Sequence, residues 1–183
     1  MVLLVAAVGR SGSGKTTTIE YLINKLTQEN VSVGAVKHVH HKGFTMDTEG
    51  KNTWRFAKAG AKTIVAVSPD EVAIIRKTQS EYNDFDKIIA LLEMEKLDVV
   101  FVEGLHSLTG KRSDIVKIVT ATDINGLAET LKSTVEPIIA VSGVVAQTLG
   151  TPDYKGIPVI KIPEEGEKLL ELLKKHLDKK KDN

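Results

Sequence analysis

Hydrophobic positions along the chain fall into two rhythms. Val2–Val8 is an unbroken apolar run, as expected of a strand covered on both faces. Glycine-rich residues follow. In Thr16–Glu29 the residues Ile19, Leu22, Ile23 and Leu26 then share one helical face. Val31–Val36 reads as the next strand. Val39–Gly50 is polar and carries glycines, so it is expected to be a loop. Thr53–Ala59 suits a short helix, capped by Asn52 or Thr53 and ended by Gly60. Thr63–Val67 and Val72–Ile75 predict two short strands joined by a turn at Ser68, Pro69 and Asp70. Phe85, Ile88, Ile89 and Leu92 predict an amphipathic helix, and Asp98–Val102 a second strongly apolar strand. Ile115–Thr120 predicts a strand and Asp123–Leu131 a helix. Ile138–Val141 and Ile157–Ile162 read as late strands, and Leu169, Leu170, Leu173 and Leu177 line a closing helix. Alternating strands and helices point to an α/β fold in three layers, with a mostly parallel, doubly wound sheet. Such sheets bind ligands beyond the carboxyl ends of their strands.

Length and composition narrow the classes. The 183 residues predict one domain spanning 1–183. A formal net charge of +1 gives no global bias toward nucleic acid or acidic membranes. Without cysteine there can be no disulfide, iron–sulfur cluster or thiolate zinc site, which fits a cytoplasmic setting. Val2–Val8 is too short to span a membrane, and no later segment is long and apolar enough. The lysine-rich end Lys174–Asn183 is interrupted by aspartates and reads as a solvated helix terminus.

Gly9-Arg10-Ser11-Gly12-Ser13-Gly14-Lys15-Thr16 matches the phosphate-binding P-loop pattern in full, between an expected strand and an expected helix. Several backbone N–H groups must converge on a phosphate, and Gly9, Gly12 and Gly14 allow that curl. The helix start adds its positive dipole end. Lys15 supplies a mobile charge for the outer phosphates, Thr16 a hydroxyl for Mg²⁺, and Thr17 continues the cradle. Arg10 could reach the transferred phosphate or point to solvent. Glu103 ends the apolar Asp98–Val102 run, where a carboxylate could hold Mg²⁺ or polarise an attacking water; plain solvation is the alternative. Asp98 lies at the other end and reads as structural.

Two polar segments are less specific. Val36-Lys37-His38-Val39-His40-His41 places Lys37 and His38 at a strand's carboxyl end, near the expected nucleotide. The histidines could bind a transition metal, contact phosphate, or simply be polar loop residues. In Asp47–Arg55, Asp47 could reach Mg²⁺ and Lys51 and Arg55 could bind anions, or all three could form a salt-bridged loop and helix start.

Together, GRSGSGKTT at Gly9–Thr17, VKHVHH at Val36–His41, DTEGKNTWRFAKAGA at Asp47–Ala61 and VVFVEGLH at Val99–His106 resemble the molybdopterin-guanine dinucleotide biosynthesis protein B family. The resemblance covers residues 2 to 106, with IIAVSG at Ile138–Gly143 beyond. It implies a P-loop NTPase-like fold, GTP and Mg²⁺ as cofactors, molybdopterin as a further candidate ligand, and a homodimer. It also implies an accessory role beside the guanylyltransferase (MobA-type) that joins GMP to molybdopterin, in the molybdenum or tungsten pathway, with at most slow GTP hydrolysis. On that reading Gly9–Thr17 bind nucleotide, Thr16 and Glu103 hold the metal, Glu103 and Asp47 are the acid candidates, and Lys37, His38, Lys51 and Arg55 are further site candidates. Asn52 stands where the family commonly has Asp, and Leu105 where it commonly has an aromatic residue. A small-molecule kinase and a metal-delivery GTPase are the competing functions. The first requires a lid of arginines, and Arg10, Arg55, Arg76 and Arg112 are scattered.

Overall fold

The computed structural model describes residues 2–41, 43–78, 84–93 and 95–181. The last two residues of the lysine-rich terminus lie outside them. In chain order the elements are β1 (Leu3–Val8), α1 (Lys15–Gln28), β2 (Val33–Lys37), α2 (Asn52–Lys58), β3 (Thr63–Val67), β4 (Val72–Arg76), α3 (Phe85–Ile89), β5 (Val99–Glu103), α4 (His106–Thr109), β6 (Val116–Thr120), α5 (Ile124–Lys132), β7 (Ile138–Ser142), α6 (Val144–Thr148), β8 (Asp153–Tyr154), β9 (Ile157–Pro158) and α7 (Gly166–Lys181). They form two compact units, one of residues 1–38 and 84–183, the other of residues 39–83.

The first unit is built on a five-stranded parallel sheet in the order β2-β5-β1-β6-β7. Because side chains alternate across a strand, each face of the sheet collects its own core. Leu3, Val5, Ala7, Val99, Phe101, Val116 and Ile118 pack with Leu22 and Leu26 of α1 and with Leu169, Leu170, Leu173 and Leu177 of α7. On the other face Ala6, Val8, Val100, Val102 and Val119 pack with Leu127 of α5 and Val145 of α6. The three layers and the parallel sheet are those the alternating pattern predicts. Every residue of β5 and β6 is buried, which explains the continuous apolar run Val99–Val102.

A lysine sits inside this sheet. Lys117 of β6 is fully buried, and its ammonium donates to the carbonyls of Arg112 at 2.5 Å and Glu136 at 3.3 Å. Burial pushes the Lys117 pKa down, and the Asp114 and Glu136 carboxylates oppose that shift.

The segment Ile157–Ile162 does not become a central strand. Only Ile157–Pro158 is a strand, paired antiparallel with Asp153–Tyr154. Pro158 has no N–H to extend a ladder. Beyond it Val159 bridges Val141, and Ile160 N–H donates to the Val141 carbonyl at 2.9 Å, so the segment runs beside β7 without a regular ladder. The short helices α4 and α6 lack any signal in the hydrophobic rhythm.

The second unit is small. β3 and β4 pair antiparallel from Thr63↔Arg76 to Val67↔Val72, and α2 lies against β3. One face of this hairpin carries Ile64, Ala66, Ala73 and Ile75, of which Ile64 is buried. The other carries Val65, Val67, Val72 and Ile74, all exposed. At α2 the expected cap is displaced. Lys51 occupies the N-cap without a side-chain cap bond, and Asn52 is already helical. Thr53 spends its hydroxyl on Asp47 Oδ1 at 2.8 Å instead of on the helix start.

Candidate functional site

β1 delivers Gly9–Gly14 to the carboxyl edge of the sheet, and α1 starts at Lys15 with Gly14 as its N-cap in the left-handed region. The first N–H groups of α1 have no acceptor within the helix and face the same concavity as the loop. Gly12 has φ of +74°, and a Cβ there would meet nothing within 4 Å, so the loop opens to space at this point. Gly9 is the opposite case: a Cβ would come within 2.2 Å of the Thr120 carbonyl at the end of β6.

That close approach is fixed by a hydroxyl pair. Ser13, wholly buried, lies 2.7 Å from Thr120 Oγ1 and donates to the Arg10 carbonyl at 2.7 Å. Val144 N–H donates to the Ser13 carbonyl at 3.1 Å, tying the loop to the turn after β7 as well. Thr120 and the Gly143–Val144 turn were therefore missed by sequence reasoning as shapers of the loop. A polar residue closing the apolar Ile118-Val119 run is the signal that could have found Thr120.

Lys15 is nearly buried, and its ammonium bends back onto the carbonyls of Gly9 at 3.0 Å and Arg10 at 2.6 Å. Burial lowers its pKa, the Glu103 carboxylate opposes that shift, and the nearby Lys37 charge adds to it. Thr16 donates its hydroxyl to both Glu103 carboxylate oxygens at 3.0 Å. Glu103 ends β5 with only 11% of its side chain exposed, and Lys37 ends the neighbouring β2 directly beside it in register. The Lys37 ammonium forms an ion pair with Glu103 Oε1. Lys15, Thr16, Lys37 and Glu103 are thus brought together. A strand-end carboxylate beside a helix-start hydroxyl is a set of hard oxygen donors suited to Mg²⁺.

The other candidates are placed as follows. Arg10 points away from the loop centre and pairs with Glu129 of α5 at 2.7 Å, both largely exposed. Ser11 and Thr17 are exposed. His38 donates its backbone N–H to the Glu103 carbonyl at 3.0 Å and packs on Gly104, where a Cβ would lie 3.0 Å from its own. Asp47, Lys51 and Arg55 belong to the second unit. There Asp47 Oδ1 accepts from Thr48 N–H at 2.9 Å and from the Thr53 hydroxyl, and Lys51 and Arg55 are exposed. Among the described residues no three His, Asp or Glu side chains are grouped to hold a metal ion. Asp98 accepts the Ser32 N–H at 2.9 Å, joining the starts of β2 and β5.

After Glu103 the chain turns sharply. Gly104 and Leu105 have φ of +86° and +54°, and Leu105 is buried. A left-handed leucine costs about 1–2 kcal/mol, which its burial offsets. His106 follows, with Nε2 lying 3.0 Å from Thr134 Oγ1; burial lowers its pKa.

Comparison with known proteins shows the family of the chain. The family described as molybdopterin guanine dinucleotide synthesis protein B matches residues 4–142. The chain is 33% identical over 124 residues to the molybdopterin-guanine dinucleotide biosynthesis adapter protein of Escherichia coli (strain K12), covering 67% of each. It is 35% identical over 101 residues to that of Haemophilus influenzae, covering 55% of this chain and 56% of that one. The matched stretch thus spans two thirds of one relative and little over half of the other. Among solved structures, Bacillus subtilis MobB superposes with a TM-score of 0.72 at 24% identity, over 93% of this chain and 97% of that chain. A MobB homolog from Bacillus stearothermophilus gives 0.67 at 20% identity, over 96% and 98%. These two neighbours share the P-loop NTPase-like fold.

Proposed function

The chain belongs to the molybdopterin-guanine dinucleotide synthesis protein B family and so to molybdenum cofactor biosynthesis; from that premise we propose that it acts there as an adapter that binds GTP with Mg²⁺. The observation that carries this reading is the cluster at the sheet's carboxyl edge: a glycine loop opening a helix, an ammonium inside it, and a hydroxyl–carboxylate pair beside it. The Gly9–Thr17 backbone and Lys15 would hold the phosphates, and Thr16 and Glu103 the metal. Mg²⁺ would neutralise charge on the outer phosphates. Lys15 already gathers next to the loop carbonyls, so a polyphosphate would draw its ammonium outward and favour its protonated form.

Hydrolysis on this reading is slow. Glu103 is the acid beside Thr16, and it is committed to Thr16 and Lys37 rather than poised over an open water site. The kinase reading has less support, because Arg10 is paired with Glu129 and Arg112 with Asp86 and Asp114. Guanine preference and the guanylyltransferase partner come from the family. A homodimer is supported by the apolar hairpin face of Val65, Val67, Val72 and Ile74.

The test is Lys15→Ala. Charge-assisted hydrogen bonds contribute about 1.5–3 kcal/mol each, so calorimetry should show loss of Mg·GTP binding while circular dichroism shows the native fold. The same variant should fail to stimulate guanylylation of molybdopterin by the partner transferase. Wild-type affinity for GTP in the variant would overturn the proposal.

A further inference from the structure

Glu103 is a nearly buried carboxylate, and such a group is costly unless a cation compensates it. Lys15 lies in the field of Glu103, but its ammonium hydrogen bonds go to the Gly9 and Arg10 carbonyls. The cation is Lys37, held beside Glu103 by the β2–β5 register. The two ends of the pair differ in mobility. Glu103 is enclosed, whereas 55% of the Lys37 side chain is exposed at the end of an edge strand, so only Lys37 can swing out into water. Both partners of Glu103, Lys37 and the Thr16 hydroxyl, converge on the two oxygens that would face a divalent ion.

Resting on the nucleotide reading above, we propose that Lys37 is a tethered counter-ion that occupies the divalent-cation position on Glu103 and is exchanged for the ion when Mg·GTP binds. Two like charges cannot share one carboxylate face without strong repulsion. Metal uptake is therefore an exchange rather than an addition, and free Mg²⁺ without nucleotide gains little at this site. The converse also follows. With Glu103 neutralised by Lys37, a metal-free triphosphate meets the one uncompensated positive charge of Lys15 and no net carboxylate charge, so nucleotide binding tolerates the absence of metal. The displaced ammonium remains tethered at the rim, within the field of the phosphates.

The measurement is the affinity for GTP by calorimetry on the full chain, with saturating Mg²⁺ and again in EDTA. Lys37→Met should raise the ratio of the two affinities at least about tenfold over wild type, because Glu103 then repels the metal-free triphosphate. Lys37→Arg should keep the wild-type ratio within about twofold, and adding Glu103→Gln to Lys37→Met should bring the ratio back toward wild type. Mn²⁺ titrated without nucleotide, read by its paramagnetic resonance signal, should bind Lys37→Met and not wild type. Should Lys37→Met fail to fold, Lys37→Gln carries the same expectations. A wild type that binds GTP, with an unchanged ratio in the lysine variant, overturns the counter-ion. A wild type that binds no GTP in either buffer overturns the nucleotide reading, and this inference with it.

Discussion

The two units solve the problem of burying apolar strands in opposite ways. In the first, β5 and β6 are buried along their whole length and both sheet faces are covered by helices. In the second, the β3–β4 hairpin hides one face and leaves Val65, Val67, Val72 and Ile74 between 57% and 75% exposed. A two-stranded hairpin is marginal by itself in water, and a contiguous apolar face of this kind marks an interaction surface. One unit closes its own core, whereas the other leaves an apolar face uncovered.

The comparison breaks most directly in the first unit's core. Phe101 is fully buried in the middle of β5. Phe101→Ala should cost about 3–5 kcal/mol of unfolding free energy in urea; a loss below 1 kcal/mol would mean the sheet is not the stabilising unit. Next in size, on the proposed homodimer the pair Val65→Ser and Ile74→Ser should weaken dimerisation about a hundredfold in sedimentation equilibrium. Stability of the monomer should change by less than about 0.5 kcal/mol per site. A dimer constant unmoved by both changes would remove the hairpin from the interface.

The smallest effect concerns acid. Burial lowers the His106 pKa below its ordinary value of 6.5, so the unfolded chain binds the proton more readily than the folded one. Stability from this group is full above 6.5 and is lost as pH falls through the depressed folded value. His106→Gln should flatten that part of the stability–pH curve followed by circular dichroism, and an identical curve would assign the acid sensitivity elsewhere.

Legibility in the sequence followed the range of the interactions. β1, the glycine loop and α1 obey local rules, so an apolar run, a glycine pattern and a helical stripe sufficed to read them. The fully buried β5 and β6 were legible for the same reason. Lys37 and Glu103 each stood at a strand end, but their pairing depends on β2 lying next to β5, which no local pattern encodes. Ser13 and Thr120 likewise meet only because β6 adjoins β1. α6 is positioned by Val145 N–H donating to the Ala121 carbonyl at 2.8 Å rather than by periodicity. Pro158 interrupts what the apolar count alone takes for a strand. Asp47 read as an acid candidate or as part of a loop and helix start, and its bonds to Thr48 and Thr53 organise its own loop.

The strand order has a consequence for synthesis on the ribosome. β5 lies between β1 and β2, pairing through Val99 with both Leu3 and Val33. When β1, α1 and β2 have left the exit tunnel, the strand that joins them has not been translated, and the whole second unit must emerge first. The nascent chain therefore carries two unpaired apolar strands through that interval, which exposes it to misassociation. Slow pairing over long sequence separations is the expected folding bottleneck, and it ends only when Val99–Glu103 slides between its neighbours and carries Glu103 to the mouth of the glycine loop.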